Sequence, residues 1–217
     1  MFKELFPNVF FFESQNFGSN VFLLKAGKNA LIDSSAEQNS ELLLRGLEGL
    51  GLSAENIGLI AHTHGHADHF GCDFLFKKAE ILMHSEDAKK VNEKHEKFTA
   101  SNLIPTMHFP KISRFLKENE TISLGELNLK VIFSPGHTKG SVCFFEPKKG
   151  LLFSGDTVFA QGFGRFDLPS GNLQELCASL KKLSGLKPKI LFPGHGPESK
   201  NASECLVSAI AETRGYL

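Results

Sequence analysis

The chain has 217 residues, enough to bury a sizeable core and best read as one domain spanning 1–217. Its 24 basic and 24 acidic side chains cancel, leaving no net field to attract a polyanion, so nucleic acid and an anionic membrane surface are excluded as default partners. The aromatic residues are 21 Phe with one Tyr and no Trp, a composition that suits dry packing and names no ligand by itself.

The four cysteines, Cys72, Cys143, Cys177 and Cys205, form no CxxC pair and fall inside apolar runs, where a reduced Cys behaves as a small hydrophobe. A reduced, cytoplasmic setting is therefore expected. The apolar run Val9 to Phe12 follows Pro7 and ends at Glu13, too short for a membrane span or the core of a leader.

In chain order, Val9 to Phe12, Asn20 to Lys25 and Ala30 to Asp33 read as strands of a hairpin-rich sheet edge, the last two joined by a Gly27-Lys28-Asn29 turn. Leu42, Leu43, Leu47 and Leu50 recur at helical spacing from Glu41 until Gly51 stops the run. Ile57 to Ala61 reads as a buried strand, and Asp68 begins a helix through Phe70, Phe74 and Leu75. A short strand, Ile81 to Met83, precedes a helix through Val91 that Ser85 can cap, with Glu86 and Asp87 favourably placed in its first turn.

The segment 92–119 mixes charge with Phe98, Leu103, Ile104, Met107, Phe109 and Phe115, and is read either as a lid over a pocket or as connecting structure. Leu127 to Phe133, Ser141 to Phe145 and Leu151 to Phe153 then imply a second sheet. Asn172 can cap a helix to about Leu183, Lys189 to Phe192 reads as a strand, and Ser199 can cap a last helix through Leu206, Ile210 and Arg214. Strands in runs, with helices at irregular intervals, favour two sheets with helices packed outside over a doubly wound parallel sheet.

Chemistry concentrates on the loop after Ala61. His62, His64, His66, Asp68 and His69 lie within nine residues, 61–69, a density that packing does not explain. Neutral imidazole is the commonest protein metal ligand, and imidazole with carboxylate suits zinc or iron. Residues two apart on an extended loop share a side, so His64 and His66 can converge on one ion while Asp68 and His69 face a neighbour. His137, Asp156 and His195 each stand beside glycine at the end of a strand, where a tight turn can hold a ligand outward.

The ordered set His64-Gly65-His66-Ala67-Asp68-His69, Gly136-His137-Thr138-Lys139-Gly140-Ser141, Gly155-Asp156 and Pro193-Gly194-His195-Gly196 resembles the metallo-β-lactamase superfamily, and within it the glyoxalase II, or hydroxyacylglutathione hydrolase, branch. Only Gly196 to Leu217 follows His195, so the likeness is to a short form without that branch's full C-terminal helical domain. The resemblance implies an αββα sandwich with its metal site at one edge. It also implies two ligand sets, His64, His66 and His137 for one metal and Asp68, His69 and His195 for the other, with Asp156 between them. Two divalent ions, most simply zinc with iron as the other candidate, would lower the pKa of a bound water to about 7 and supply hydroxide at neutral pH. The activity implied is hydrolysis of a small-molecule acyl thioester such as S-lactoylglutathione, with Asp68 also a candidate to orient the attacking hydroxide.

Other readings stay open at this stage. A persulfide dioxygenase of the same fold would hold one iron through His64, His137 and Asp156, two histidines and a carboxylate with open positions. A lactonase and a non-catalytic metal-binding module are further alternatives, although structural sites are normally closed by four protein ligands. His62 matches no ligand position and is assigned to a supporting or core role, and Asp33 is either a hydrogen-bond partner of a ligand histidine or a turn residue. His84, His95 and His108 are isolated and read as ordinary. Gly162-Phe163-Gly164-Arg165-Phe166-Asp167 lacks the glycine pattern of a dinucleotide loop. Arg165 and Asp167 are expected to pair and brace the site.

Overall fold

The computed structural model describes residues 1–103 and 108–216. The first sheet has seven strands in sequence order: β1 (Phe2–Phe6), β2 (Val9–Phe12), β3 (Val21–Leu24), β4 (Ala30–Ile32), β5 (Leu59–Ala61), β6 (Glu80–His84) and β7 (Arg114–Leu116). Its first four strands pair antiparallel, and β4 through β7 run parallel. The second sheet comprises β8 (Thr121–Ser123), β9 (Asn128–Phe133), β10 (Val142–Glu146), β11 (Leu151–Gly155) and β12 (Ile190–Pro193), in the spatial order β12-β11-β10-β9-β8, with only β11 and β12 parallel.

The two-residue period of a strand explains how the layers stack. In β3, Phe22 and Leu24 enter the core between the sheets while Val21 and Leu23 enter a second core on the outer face. Strand β10 divides likewise, Val142 and Phe144 inward, Cys143 and Phe145 outward. Strands buried on both faces need helices on both outer sides. Helix α1 (Ser40–Glu48) covers the first sheet through Leu43 and Leu47. Helices α5 (Leu173–Gly185) and α6 (Ala202–Thr213) cover the second through Leu176, Leu180, Leu183, Leu206 and Ala209. The result is the expected αββα sandwich. Phe22 joins the sheets, its ring 5.4 Å from that of Phe153 and 5.3 Å from that of Phe192.

Several local expectations are corrected. Helix α2 (Ala67–Phe70) lasts one turn and gives way to a separate 3-10 turn at Asp73–Leu75. Helix α3 (Ser85–Asn92) is capped by the ring of His84, whose Nδ1 accepts from the Glu86 N–H, so Ser85 is its first residue and not its cap. Asn172 caps α5 as expected, accepting from the Glu175 N–H at 3.0 Å. Ser199 instead pairs with Leu191 in a β-bridge, and α6 begins after Asn201.

Strands β1, β7 and β8 were not legible in the pattern. β1 carries a register irregularity between Glu4 and Phe6, and β7 and β8 are edge strands of three residues each, too short to show a period. Within 92–119, helix α4 (Glu96–Thr99), a 3-10 turn at Ser101–Leu103 and strand β7 are formed, and Phe98 and Ile112 are buried. That portion is packed structure. Ile104 and Met107, part of the lid expectation, lie outside the described residues. Among the described residues no helix is long and apolar enough to cross a membrane.

Candidate metal centre

Every sequence-predicted ligand sits just beyond a strand end at one rim of the sandwich. His64, His66, Asp68 and His69 follow β5, His137 follows β9, Asp156 follows β11 and His195 follows β12. Parallel strands β4 and β5 end together there, as do β11 and β12, so residues distant in sequence emerge side by side. At Gly194 a side chain would meet Asp156 Oδ1 at 2.3 Å and His69 Cε1 at 2.8 Å. Only glycine lets the last loop close on the others.

The side chains converge as three overlapping groups: His64, His66 and His137; His64, His69 and Asp156; and Asp68, His69 and His195. His66 Nδ1 lies 3.0 Å from both His64 Nε2 and His137 Nε2. His195 Nε2 stands 3.2 Å from Asp68 Oδ2. Asp156 lies between the clusters: Oδ1 is 3.4 Å from His69 Nε2, and Oδ2 is 3.6 Å from the Nε2 atoms of both His137 and His195.

Partners on the far side of the rings set which nitrogen faces the centre. His137 Nδ1–H donates to the Arg165 carbonyl at 2.7 Å, and His69 Nδ1–H donates to Asp33 Oδ2 at 2.9 Å. The Thr63 hydroxyl donates to Asp33 Oδ2 at 2.8 Å and stands 3.1 Å from His64 Nδ1, from which it can accept. These contacts turn Nε2 of all three rings toward the centre, as the lone-pair nitrogen in neutral His64 and His137, the arrangement by which supporting hydrogen bonds orient metal ligands. Two lone-pair nitrogens, on His64 and His137, then face the same Nδ1 of His66, which has at most one hydrogen to offer. His69 Nε2 and Asp156 Oδ1 are buried there without a hydrogen-bond partner. A buried convergence of lone pairs and unpartnered carboxylate oxygen is unfavourable alone and fits a bound cation.

The ionisation states agree. Burial, reinforced by the neighbouring rings, holds His64 well below its usual pKa, burial pushes His66 down to about 3, and burial also lowers His137. All three are therefore neutral and ligand-competent at pH 7. His69 is pushed down by burial but lifted well above its usual value by Asp33, Asp68 and Asp156. Burial likewise opposes ionisation of Asp156, yet His195, His69 and His137 hold its carboxyl below the usual carboxylate range. In the absence of metal this half of the cluster balances its own charge by protonation, and a divalent ion would displace those protons.

The supporting residues are only partly those anticipated. Asp33 is the hydrogen-bond partner of a candidate ligand, and it also accepts from the Thr63 backbone N–H at 2.9 Å. His62 takes the supporting role assigned to it: its Nε2 donates to Asp73 Oδ2 at 2.8 Å, and its Nδ1 faces Asp33 Oδ1 at 3.4 Å. Burial opposes its charge, but Asp73 and Asp33 raise its pKa to about 9. Arg165 and Asp167 pair as expected, at 2.8 and 2.9 Å, but both side chains are exposed. The brace on the site is the backbone carbonyl of Arg165, not its guanidinium. Of the other histidines, His84 and His95 cap helices and His108 contacts Glu37 at 3.1 Å.

Three contributors gave no usable signal in the sequence. Asn20 Nδ2 donates to the carbonyls of Pro193 and Gly196, at 3.0 and 2.9 Å, and so holds the loop that carries His195. Asp73 partners His62. Asp87, read as a helix-start charge, is fully buried.

An αββα sandwich whose strand ends gather histidines and carboxylates into adjoining candidate metal clusters supports metal-dependent hydrolase activity. The chain belongs to the metallo-β-lactamase superfamily, whose family profile matches residues 15–195. It is 32% identical over 187 residues to a probable metallo-hydrolase, MJ0888, of Methanocaldococcus jannaschii, covering 83% of this chain and 88% of the relative. Hydroxyacylglutathione hydrolase GloC of Haemophilus influenzae is 33% identical over 176 residues, covering 77% of this chain and 79% of the relative. Among solved structures, TTHA1623 in a di-iron-bound form superposes with a TM-score of 0.74 at 29% identity, covering 95% of this chain and 98% of that one.

Proposed function

We propose that the protein hydrolyses acyl thioesters, with S-lactoylglutathione and related hydroxyacyl thioesters as the first candidates. The observation that carries the reading is the Asp156 carboxylate, poised between His137 on one side and His69 and His195 on the other. In this reading His64, His66 and His137 hold one metal, Asp68, His69 and His195 hold a second, and Asp156 joins them. Zinc and iron both suit the donor set, and the di-iron form of TTHA1623 supports iron alongside zinc. When bound, the pair supplies hydroxide at neutral pH and polarises the scissile carbonyl.

The chain's own residues supply the rest. Neutral His64, His66 and His137 offer lone pairs without first losing a proton. Thr63 and the Arg165 carbonyl keep the lone pairs of His64 and His137 aimed inward, and Asp33 orients the ring of His69. Asp68 is partly exposed and has one oxygen 3.2 Å from His195, which suits it to accept a hydrogen bond from the attacking species as well as to act as a ligand. The kinship with GloC supports a hydroxyacylglutathione substrate.

The test is thiol release from a panel of acyl thioesters, lactoylglutathione included, by metal-replete protein and by His66→Ala. Metal-dependent release that vanishes in the variant is expected. Turnover retained by His66→Ala would refute the site. If no thioester is cleaved while oxygen is consumed with a persulfide, the dioxygenase reading takes its place.

A further inference from the structure

Asp87 lies in the first turn of α3 with no solvent exposure, where an acidic residue ordinarily sits in water beside the helix N-terminus. Its carboxylate instead accepts three hydrogen bonds from two other loops. Oδ2 takes the Gly65 N–H at 2.8 Å and the Thr138 hydroxyl at 2.6 Å, and Oδ1 takes the Gly140 N–H at 2.7 Å. Gly65 lies between His64 and His66, and Thr138 follows His137. One side chain thus grips both loops that deliver the three-histidine cluster.

The fit is close on every side. A side chain at Gly140 would meet Asp87 Oδ1 at 2.4 Å, and one at Gly65 would meet Asp87 Cβ at 3.0 Å, so the glycines of both motifs make room for this helix. The Thr138 hydroxyl also lies 2.8 Å from Ser141 Oγ, which accepts from the Thr138 N–H at 3.0 Å, and the turn after His137 is closed around the contact. A second link, the Val142 N–H to the Thr63 carbonyl at 2.8 Å, ties the strand ends but lies outside the stretches that bear the rings. Burial pushes the Asp87 carboxyl up to about 6 against the pull of Thr138, Gly65 and Gly140. At pH 7 the group is still mostly ionised and can accept from all three donors.

We propose that Asp87 is a positioning residue that fixes the spacing between the His64–His66 loop and the His137 loop, and so sets the metal affinity of that cluster. It touches neither metal nor substrate and acts through the backbone of Gly65 and Gly140 and the hydroxyl of Thr138. The inference rests on the reading of His64, His66 and His137 as ligands. An amide cannot serve all three donors, because whichever position its nitrogen takes confronts at least one of them.

The experiment is chelator competition on zinc-loaded protein, with the visible absorption of the cobalt-substituted form as a report on ligand geometry. It compares wild type with Asp87→Asn, Thr138→Val and His66→Ala. Asp87→Asn is expected to weaken retention of one metal by about ten- to a hundredfold, the range for lost supporting hydrogen bonds, and to alter the cobalt spectrum at temperatures where the variant remains folded. Thr138→Val, which removes one donor and keeps the carboxylate, is expected to give a smaller loss of the same kind. Wild-type retention and spectrum in Asp87→Asn would overturn the proposal. If that variant does not fold, Thr138→Val decides, unchanged metal retention refuting and weakened retention supporting. Wild-type affinity in His66→Ala would instead refute the ligand reading itself, and Asp87 with it.

Discussion

Asp33→Asn isolates how much the buried carboxylate beneath the metal centre contributes to the fold. Asp33 is 2% exposed and sits at φ 57°, a left-handed conformation that Asn also tolerates, so the change alters charge and hydrogen bonding and not the backbone. Oδ1 accepts from the Thr63 N–H, and Oδ2 accepts from the Thr63 hydroxyl and from His69. An amide nitrogen in either position sets a donor against a donor. Losing a hydrogen bond to a charged group costs about 1.5–3 kcal/mol. Burial opposes ionisation of Asp33, yet His69 and His62 bring its pKa from 3.8 to about 2, a shift worth about 2–3 kcal/mol. These are two views of one interaction and are not added.

The expected loss is therefore about 3 kcal/mol at pH 7, or about 6–12 °C in melting temperature for a chain of this size. Because the folded pKa is lowered, the contribution is complete above the unfolded value near 4 and disappears as pH falls through about 2. The gap between wild type and variant should close in acid. Urea unfolding of chelator-treated protein at pH 7 and at low pH measures both. A variant within 1 kcal/mol of wild type at pH 7, or a gap that widens in acid, would refute the reasoning.

Phe22→Ala removes the ring that spans the two sheets between Phe153 and Phe192 and should cost about 3–5 kcal/mol in denaturant unfolding, with metal stoichiometry unchanged in whatever fraction folds. Asn20→Ala strands the carbonyls of Pro193 and Gly196. It should cost about 1–3 kcal/mol and loosen the metal that reads on His195, leaving the three-histidine metal in place by titration. Removal of metal should abolish the proposed thioesterase activity and lower the melting temperature. Each site held at a hundred times its dissociation constant contributes about 2.7 kcal/mol, and calorimetry with and without chelator measures it.

Much of the fold was written in local pattern. The apolar runs of β3 and β10, the helical spacing of α1, the Asn172 cap and the glycine-flanked histidines each depend on neighbours within a few residues, so they can be read without knowing what packs against them. The crowding of His64, His66, Asp68 and His69 onto one loop is likewise a property of the chain itself. The edge strands β1, β7 and β8 were not legible, because they are short or irregular and their pairing comes from the sheet beside them.

What only the tertiary structure decided is how these pieces meet. Asp87 has the look of a helix-start charge in sequence, yet its partners lie 22, 51 and 53 residues away. Asp33 could have been a turn residue until the parallel pairing of β4 with β5 set it under His69, 36 residues on. Asn20 reaches carbonyls 173 and 176 residues distant. A local pattern specifies which backbone a segment prefers and which side chains are suited to metal. The burial of a polar group, and with it the donors it must find, is set by chain closure over long separations and exists only once both sheets have packed.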